Sequence, residues 1–147
     1  MAEERPRVMG LDYGERRIGV ALSDPLGLTA QPLATLDRTA SLNADLAALA
    51  ALARDHAATR FVIGLPLALD GTHGERARVT EKFARRLERV SGLPVESWDE
   101  RLTSVQAERA LLEADLSRRR RRQVIDRAAA VLILQSWLDA HSVPEGA

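Results

Sequence analysis

Residues 7–23 read RVMGLDYGERRIGVALS, and this stretch decides the fold class. Residues 7–12 are a short apolar run ending in Asp12, and Tyr13 to Arg17 is rich in turn formers. In residues 18–23 Ile18, Val20 and Leu22 alternate with small residues, so the segment predicts two antiparallel strands joined by a tight turn. Downstream, Pro25, Gly27 and Pro32 punctuate the chain before a weaker strand candidate at 33–36. Ser41 then opens a helix carrying Leu42, Leu46, Leu49 and Leu52. RFVIG at 60–64, bounded by Gly64 and Pro66, is too short for a helix and predicts a buried strand.

Thr72 and Glu75 have capping-box spacing, and Val79, Phe83, Leu87 and Val90 recur at helical intervals behind them. Arg78, Lys82, Arg85 and Arg89 form a basic stripe on roughly the other side, which serves equally as a solvated face or a phosphate contact. Gly92 and Pro94 end this helix, 95–99 predicts another strand, and Thr103 with Gln106 caps a helix reaching to about 114. Five arginines, 118–122, precede a last helix predicted over 123–140, and the tail from about 141 to 147 is expected to fray. Hairpin strands first and crossover strands afterwards make an α/β domain: a mixed five-stranded sheet with helices on its faces.

The chain has 147 residues, enough for one domain with one sizeable core, which excludes a two-domain cleft enzyme. Twenty-one basic residues balance 21 acidic ones, so no global excess of charge advertises a partner. The basic set is uneven, because Lys82 is the only lysine. With no cysteine, disulfides, thiolate nucleophiles and zinc-thiolate sites are all excluded. Neither a signal-peptide pattern nor a membrane-length apolar run is present, which predicts a cytoplasmic protein with no membrane partner. Only 3% of residues are aromatic against 46% hydrophobic, so Ala, Leu and Val must fill the core, and Trp98 and Trp137 are expected within it. His56, His73 and His141 have no metal-ligand spacing and are expected at the surface.

Three acidic positions stand where chemistry is often done. Asp12 ends an apolar strand beside Gly14, although turns also begin with Asp. Asp99 and Glu100 stand at the end of a later strand, and because neighbouring strand residues face oppositely, one of them should share a site with Asp12. Asp126 precedes AAAVLIL at 128–134, a segment apolar nearly all round and therefore buried. A carboxylate there gains from the helix dipole, but full burial demands a cation, an arginine or water. Carboxylates from a first strand, a late strand and a last helix suit hard divalent cations, a pair of which can activate a water against a phosphodiester.

GLDYG at 10–14 with RIGV at 17–20, GLP at 64–66 with Asp70-Gly71, DERLT at 99–103, and Ile125-Asp126 followed by Ala129-Ala130 together resemble the YqgF family. These are Holliday-junction-resolvase-like nucleases of the ribonuclease H superfamily, associated with maturation of the 16S rRNA precursor. The resemblance covers nearly the whole chain and implies a ribonuclease H-like fold. It matches Asp12, Glu100 and Asp126 to the family's catalytic metal ligands, selecting Glu100 over Asp99, with Mg or Mn as the cofactor. Arg101, beside Glu100, and the run Arg118, Arg119, Arg120, Arg121 and Arg122 are the bases expected to hold a nucleic-acid backbone.

RNA is the favoured partner, structured DNA such as a four-way junction the alternative, and the chain is expected as a monomer or homodimer. Two rivals remain: a non-catalytic nucleic-acid or ribosome-assembly module on the same fold, and an ATP-handling domain with a similar first hairpin, which would need a second lobe.

Overall fold

The computed structural model describes residues 5–141 except 104–117, and for 118–127 it describes the backbone alone. β1 (Arg7–Tyr13), β2 (Arg17–Ser23) and β3 (Ala30–Asp37) are followed by α1 (Leu42–Asp55), β4 (Ala58–Leu65), α2 (Glu75–Ser91) and β5 (Val95–Asp99). A 3-10 turn over Glu100–Leu102 follows, and α3 runs over Arg118–His141. The strands form one sheet in the order β3-β2-β1-β4-β5. β1 pairs antiparallel with β2, as β2 does with β3, while β1, β4 and β5 are parallel neighbours. The predicted mixed five-stranded sheet is therefore the observed one. No described helix is long and apolar enough to cross a membrane.

The alternation read in the first hairpin assigns its two faces. Met9, Leu11, Tyr13, Ile18, Val20, Leu22, Phe61 and Ile63 pack with Leu46 and Leu49 of α1 and Phe83 and Leu87 of α2. On the opposite face Val8, Ala21 and Val62 pack with Ala129, Ala130, Ile133, Leu134 and Trp137 of α3. Both tryptophans lie in or against this second cluster, as expected from their apolar surroundings. Ser41 caps α1 as predicted, its side chain accepting from the Ala44 amide at 3.2 Å.

Five local expectations are corrected. β3 is longer than 33–36 because Pro32, read as punctuation, lies inside it. The strand is at the sheet edge, where the missing amide donor is tolerated, and the β2–β3 register shifts beside it. Thr72 and Glu75 do not form a capping box: Gly74 is the N-cap, without a side-chain hydrogen bond. Asp70 has captured Thr72 instead, accepting from its amide at 3.0 Å and its hydroxyl at 2.7 Å in an Asx-type turn.

The buried face of α2 is Ala77, Thr80, Phe83, Ala84 and Leu87, so Val79 and Val90 fall at its margin and are exposed. Arg118 to Arg122 belong to α3 rather than to a loop before it, since arginine is a good helix former and extending an anchored helix costs little. His141 is likewise the last residue of α3, its ring stacked on Trp137 at 4.1 Å between centroids. The helix expected over 103–114 and the tail after 141 lie outside the described residues, although Thr103 itself is seen donating its hydroxyl to the Glu100 carbonyl at 2.7 Å.

Candidate active site

Because β1, β4 and β5 are parallel neighbours, their carboxyl ends share one edge of the sheet, where side chains from distant parts of the chain converge. Asp12 is the sixth residue of β1 and is 4% exposed. Residues 9, 11 and 13 face α1 and α2, so Asp12, like Gly10, faces α3. Its partner on β2 is Gly19. The β1–β4 register pairs Leu11 with Ile63, so one residue further along Asp12 neighbours Gly64. Asp12 is thus flanked on both neighbouring strands by glycines, which leave room beside it for groups from other segments.

Glu100 enters that space. A Cβ placed on Gly64 would lie 2.9 Å from Glu100 Oε1 and 2.5 Å from Ile133 Cδ1, so the glycine leaves the room that the ends of these two side chains take up. Glu100 lies past the end of β5, in the 3-10 turn, so the strict alternation predicted for Asp99 and Glu100 does not govern it. The two acids have different partners. Asp99 caps the turn, accepting from the Arg101 amide at 2.9 Å, and its carboxylate is gripped by Arg101 Nη2 at 2.8 Å and Nε at 3.0 Å. The side-chain hydrogen bond from Arg101 holds the Asp99 carboxyl below its ordinary range.

Arg101 also donates to the Leu69 carbonyl at 3.3 Å and lies against Gly71, which has φ +86°. It therefore ties the loop after β4 to the turn carrying Glu100, a structural duty that its neighbourhood in sequence did not reveal.

α3 runs antiparallel to β1 and β4 on this face. Ala130 and Leu134 lie against Gly10 and Ile133 against Gly64, whereas Trp137 is reached by Arg60 at the start of β4. Asp126 is one turn before Ala130 on the helix, about 6 Å along its axis. Asp12 is two residues beyond Gly10 on the strand, about 6.8 Å. Position 126 therefore lies beyond Ala130 in the direction in which β1 runs from Gly10 to Asp12. The Asp126 side chain and those of Arg118 to Arg122 lie outside the described ones. Among described residues no group of three or more His, Asp or Glu side chains forms a metal site.

A family model described as RuvX, Holliday junction resolvase, matches residues 6–140. The chain belongs to the RuvX family. A Myxococcus xanthus relative is 59% identical over 139 residues, 95% of this chain and 91% of that protein. A Symbiobacterium thermophilum relative is 57% identical over 136 residues, 92% and 94% of the two chains. Both carry the name "Putative pre-16S rRNA nuclease". Among solved structures, Thermus thermophilus RuvC in complex with a Holliday junction superposes with a TM-score of 0.62 at 11% identity, over 92% of this chain and 95% of that one. That likeness establishes the ribonuclease H-like fold of this RuvX member, in agreement with the implication of its motifs.

The sequence marks Gly64 as the end of a strand and part of the GLP motif but not as a neighbour of Glu100, and it gives Arg76 no role. No local pattern signals either role, because each depends on a contact between distant segments.

Proposed function

We propose that this RuvX-family chain is a nuclease that hydrolyses phosphodiester bonds of the 16S rRNA precursor, with Asp12, Glu100 and Asp126 holding Mg or Mn. The observation that supports the reading is that the buried Asp12, at the carboxyl end of β1, and the carboxylate of Glu100 both stand beside Gly64 of β4. Two carboxylates are the hard oxygen donors such cations take, and Glu100 Oε1 comes within 2.9 Å of where a Cβ on Gly64 would stand, so the residues present fit the group.

Bound there, the cation would lower the pKa of water and offset charge building on the phosphate. The chain supplies orientation. Gly19 and Gly64 put no side chain of their own beside Asp12, and Ile133 packs against Gly64. The Asp99–Arg101 pair holds the turn that aims Glu100. Arg101, beside Glu100, and the arginines at 118–122 are the bases that would hold the backbone of the nucleic acid.

The test is cleavage of a precursor 16S rRNA fragment and a four-way DNA junction, assayed side by side with Mg and with Mn. Metal-dependent cuts in the RNA with the junction left intact are expected. Preferential junction cleavage would transfer the activity to DNA, and RNA binding without turnover would make the chain an assembly module.

A further inference from the structure

Arg76 is the second residue of α2, where a cation opposes the helix macrodipole and needs a compensating partner. It has one: Nη2 donates to the Tyr13 carbonyl at 2.8 Å. Tyr13 is the residue immediately after Asp12 and the last of β1, beyond the pairs that β1 makes with β4. The Tyr13 ring is also held on both faces. It stacks on Phe83 with centroids 3.9 Å apart and planes 15° from parallel, and the Arg38 guanidinium lies 4.5 Å from its centroid. Arg38 Nη1 donates to the carbonyls of Gly14 and Glu15, both at 3.0 Å. The Tyr13–Gly14 peptide, one peptide beyond Asp12, is thus gripped from the face of the sheet opposite to the one the Asp12 carboxylate serves.

We propose that Arg76 is a positioning residue for the nuclease reaction, fixing the Tyr13–Gly14 peptide at the end of β1 and thereby the backbone from which the Asp12 carboxylate is aimed; this rests on the function proposed above. Aspartate has only two side-chain torsions, so its oxygens follow its backbone closely. A displacement of about 1 Å in such a site can cost about 100-fold in rate. Arg76 acts through the main chain, so its loss should lower turnover and weaken the hold on the cation without altering how substrate docks.

The experiment compares full-length wild type with Arg76→Gln and Arg76→Lys. Cleavage kinetics on the precursor 16S fragment are read with Mn2+ binding by titration calorimetry and amide hydrogen exchange over residues 10–19. Arg76→Gln should lower kcat at least about tenfold with KM within about twofold. It should also weaken Mn2+ binding and speed exchange in the hairpin end. Arg76→Lys, which keeps a donor, should recover part of each.

Wild-type kcat and Mn2+ affinity in Arg76→Gln would overturn the proposal, as would a raised KM at unchanged kcat, which would make Arg76 a substrate contact. Should the Gln variant fail to fold, the Lys variant decides: kcat and exchange moving together supports positioning, and faster exchange at wild-type kcat refutes it. A wild type that neither cleaves nor binds Mn2+ would defeat the nuclease reading and this inference together, whereas an active wild type beside an indifferent variant defeats the inference alone.

Discussion

The two faces of the central sheet are built on opposite principles. Toward α1 and α2 the three inner strands present Met9, Leu11, Tyr13, Ile18, Val20, Phe61 and Ile63, large side chains that fill the space to the helices. Toward α3 the same strands present Gly10, Asp12, Gly19, Ala21, Val62 and Gly64. Missing side chains bring the helix so close that a Cβ on Gly10 would lie 2.6 Å from Leu134 Cβ and 3.1 Å from the Ala130 carbonyl oxygen. One face buries apolar volume and supplies stability; the other gives up volume to bring acidic residues and a helix together. Strand alternation lets a single strand serve both, and β1 does so with Leu11 and Asp12 as consecutive residues.

The contrast is broken most heavily by paired substitutions on β4. Phe61→Ala, at a fully buried position of the large-residue face, should cost about 3 to 5 kcal/mol of unfolding free energy while the molecules still folded cleave at close to the wild-type rate. Gly64→Ala should cost less stability, about 1 to 3 kcal/mol for overpacking against Ile133. Its activity should nevertheless fall by about 100-fold, because Glu100 must move. Chemical denaturation and single-turnover cleavage of the two variants separate the faces. Parallel losses of stability and rate in both would show that the division does not exist.

Much of this architecture is legible in the sequence because its signals are local. The alternation of Ile18, Val20 and Leu22, the Ser41 cap and the stop at Gly92 each operate within a few residues, and each element is found where they put it. Pro32 misled because a local breaker is harmless on an edge strand, and edge position is a property of the whole sheet. Thr72 misled because two acids competed for it and Asp70 is nearer. The acidic positions 12, 100 and 126 could be named from the sequence and its family resemblance, and the assay of each tests whether they form one site. The place of Gly64 beside Glu100 and the Arg76 clamp could not be, since nothing in residues 60–80 announces Glu100, Ile133 or Tyr13 as neighbours.

A smaller effect sharpens the distinction between the adjacent acids. Asp99→Asn keeps an acceptor for the Arg101 amide, so it should retain most of the activity that Glu100→Gln loses, as steady-state cleavage would show. Equal losses would mean that the Arg101 grip is as necessary as the site acid itself. The same pair sets an acid limb of stability. Arg101 holds the Asp99 carboxyl below its ordinary value of 3.8, so its contribution is full above that value and is lost as pH falls through the lower folded-state value. Melting temperature followed downward from about pH 5 should therefore drop less steeply in Asp99→Asn. Identical slopes would remove the pair from the balance.

The smallest expected effect concerns the arginines that begin α3. Replacing three of Arg118 to Arg122 with Gln should flatten the log-log salt dependence of single-stranded RNA binding by about 2 units, at about 0.7 per phosphate contact. Turnover at saturating RNA should change little. An unchanged slope would leave the run as a solvated helix end.

The central claim is that Asp12 serves a cation-dependent nuclease on the sparsely filled face, and Asp12→Asn tests it most directly. It removes one negative ligand at nearly constant volume from a position that is 4% exposed. Cleavage of the precursor 16S fragment should be followed for wild type and variant across an Mn2+ titration that begins in EDTA. The account predicts no cleavage in EDTA, saturable cleavage by wild type as Mn2+ rises, and near-complete loss in a folded Asp12→Asn. Wild-type cleavage in EDTA, or by the variant at the wild-type rate, would contradict it.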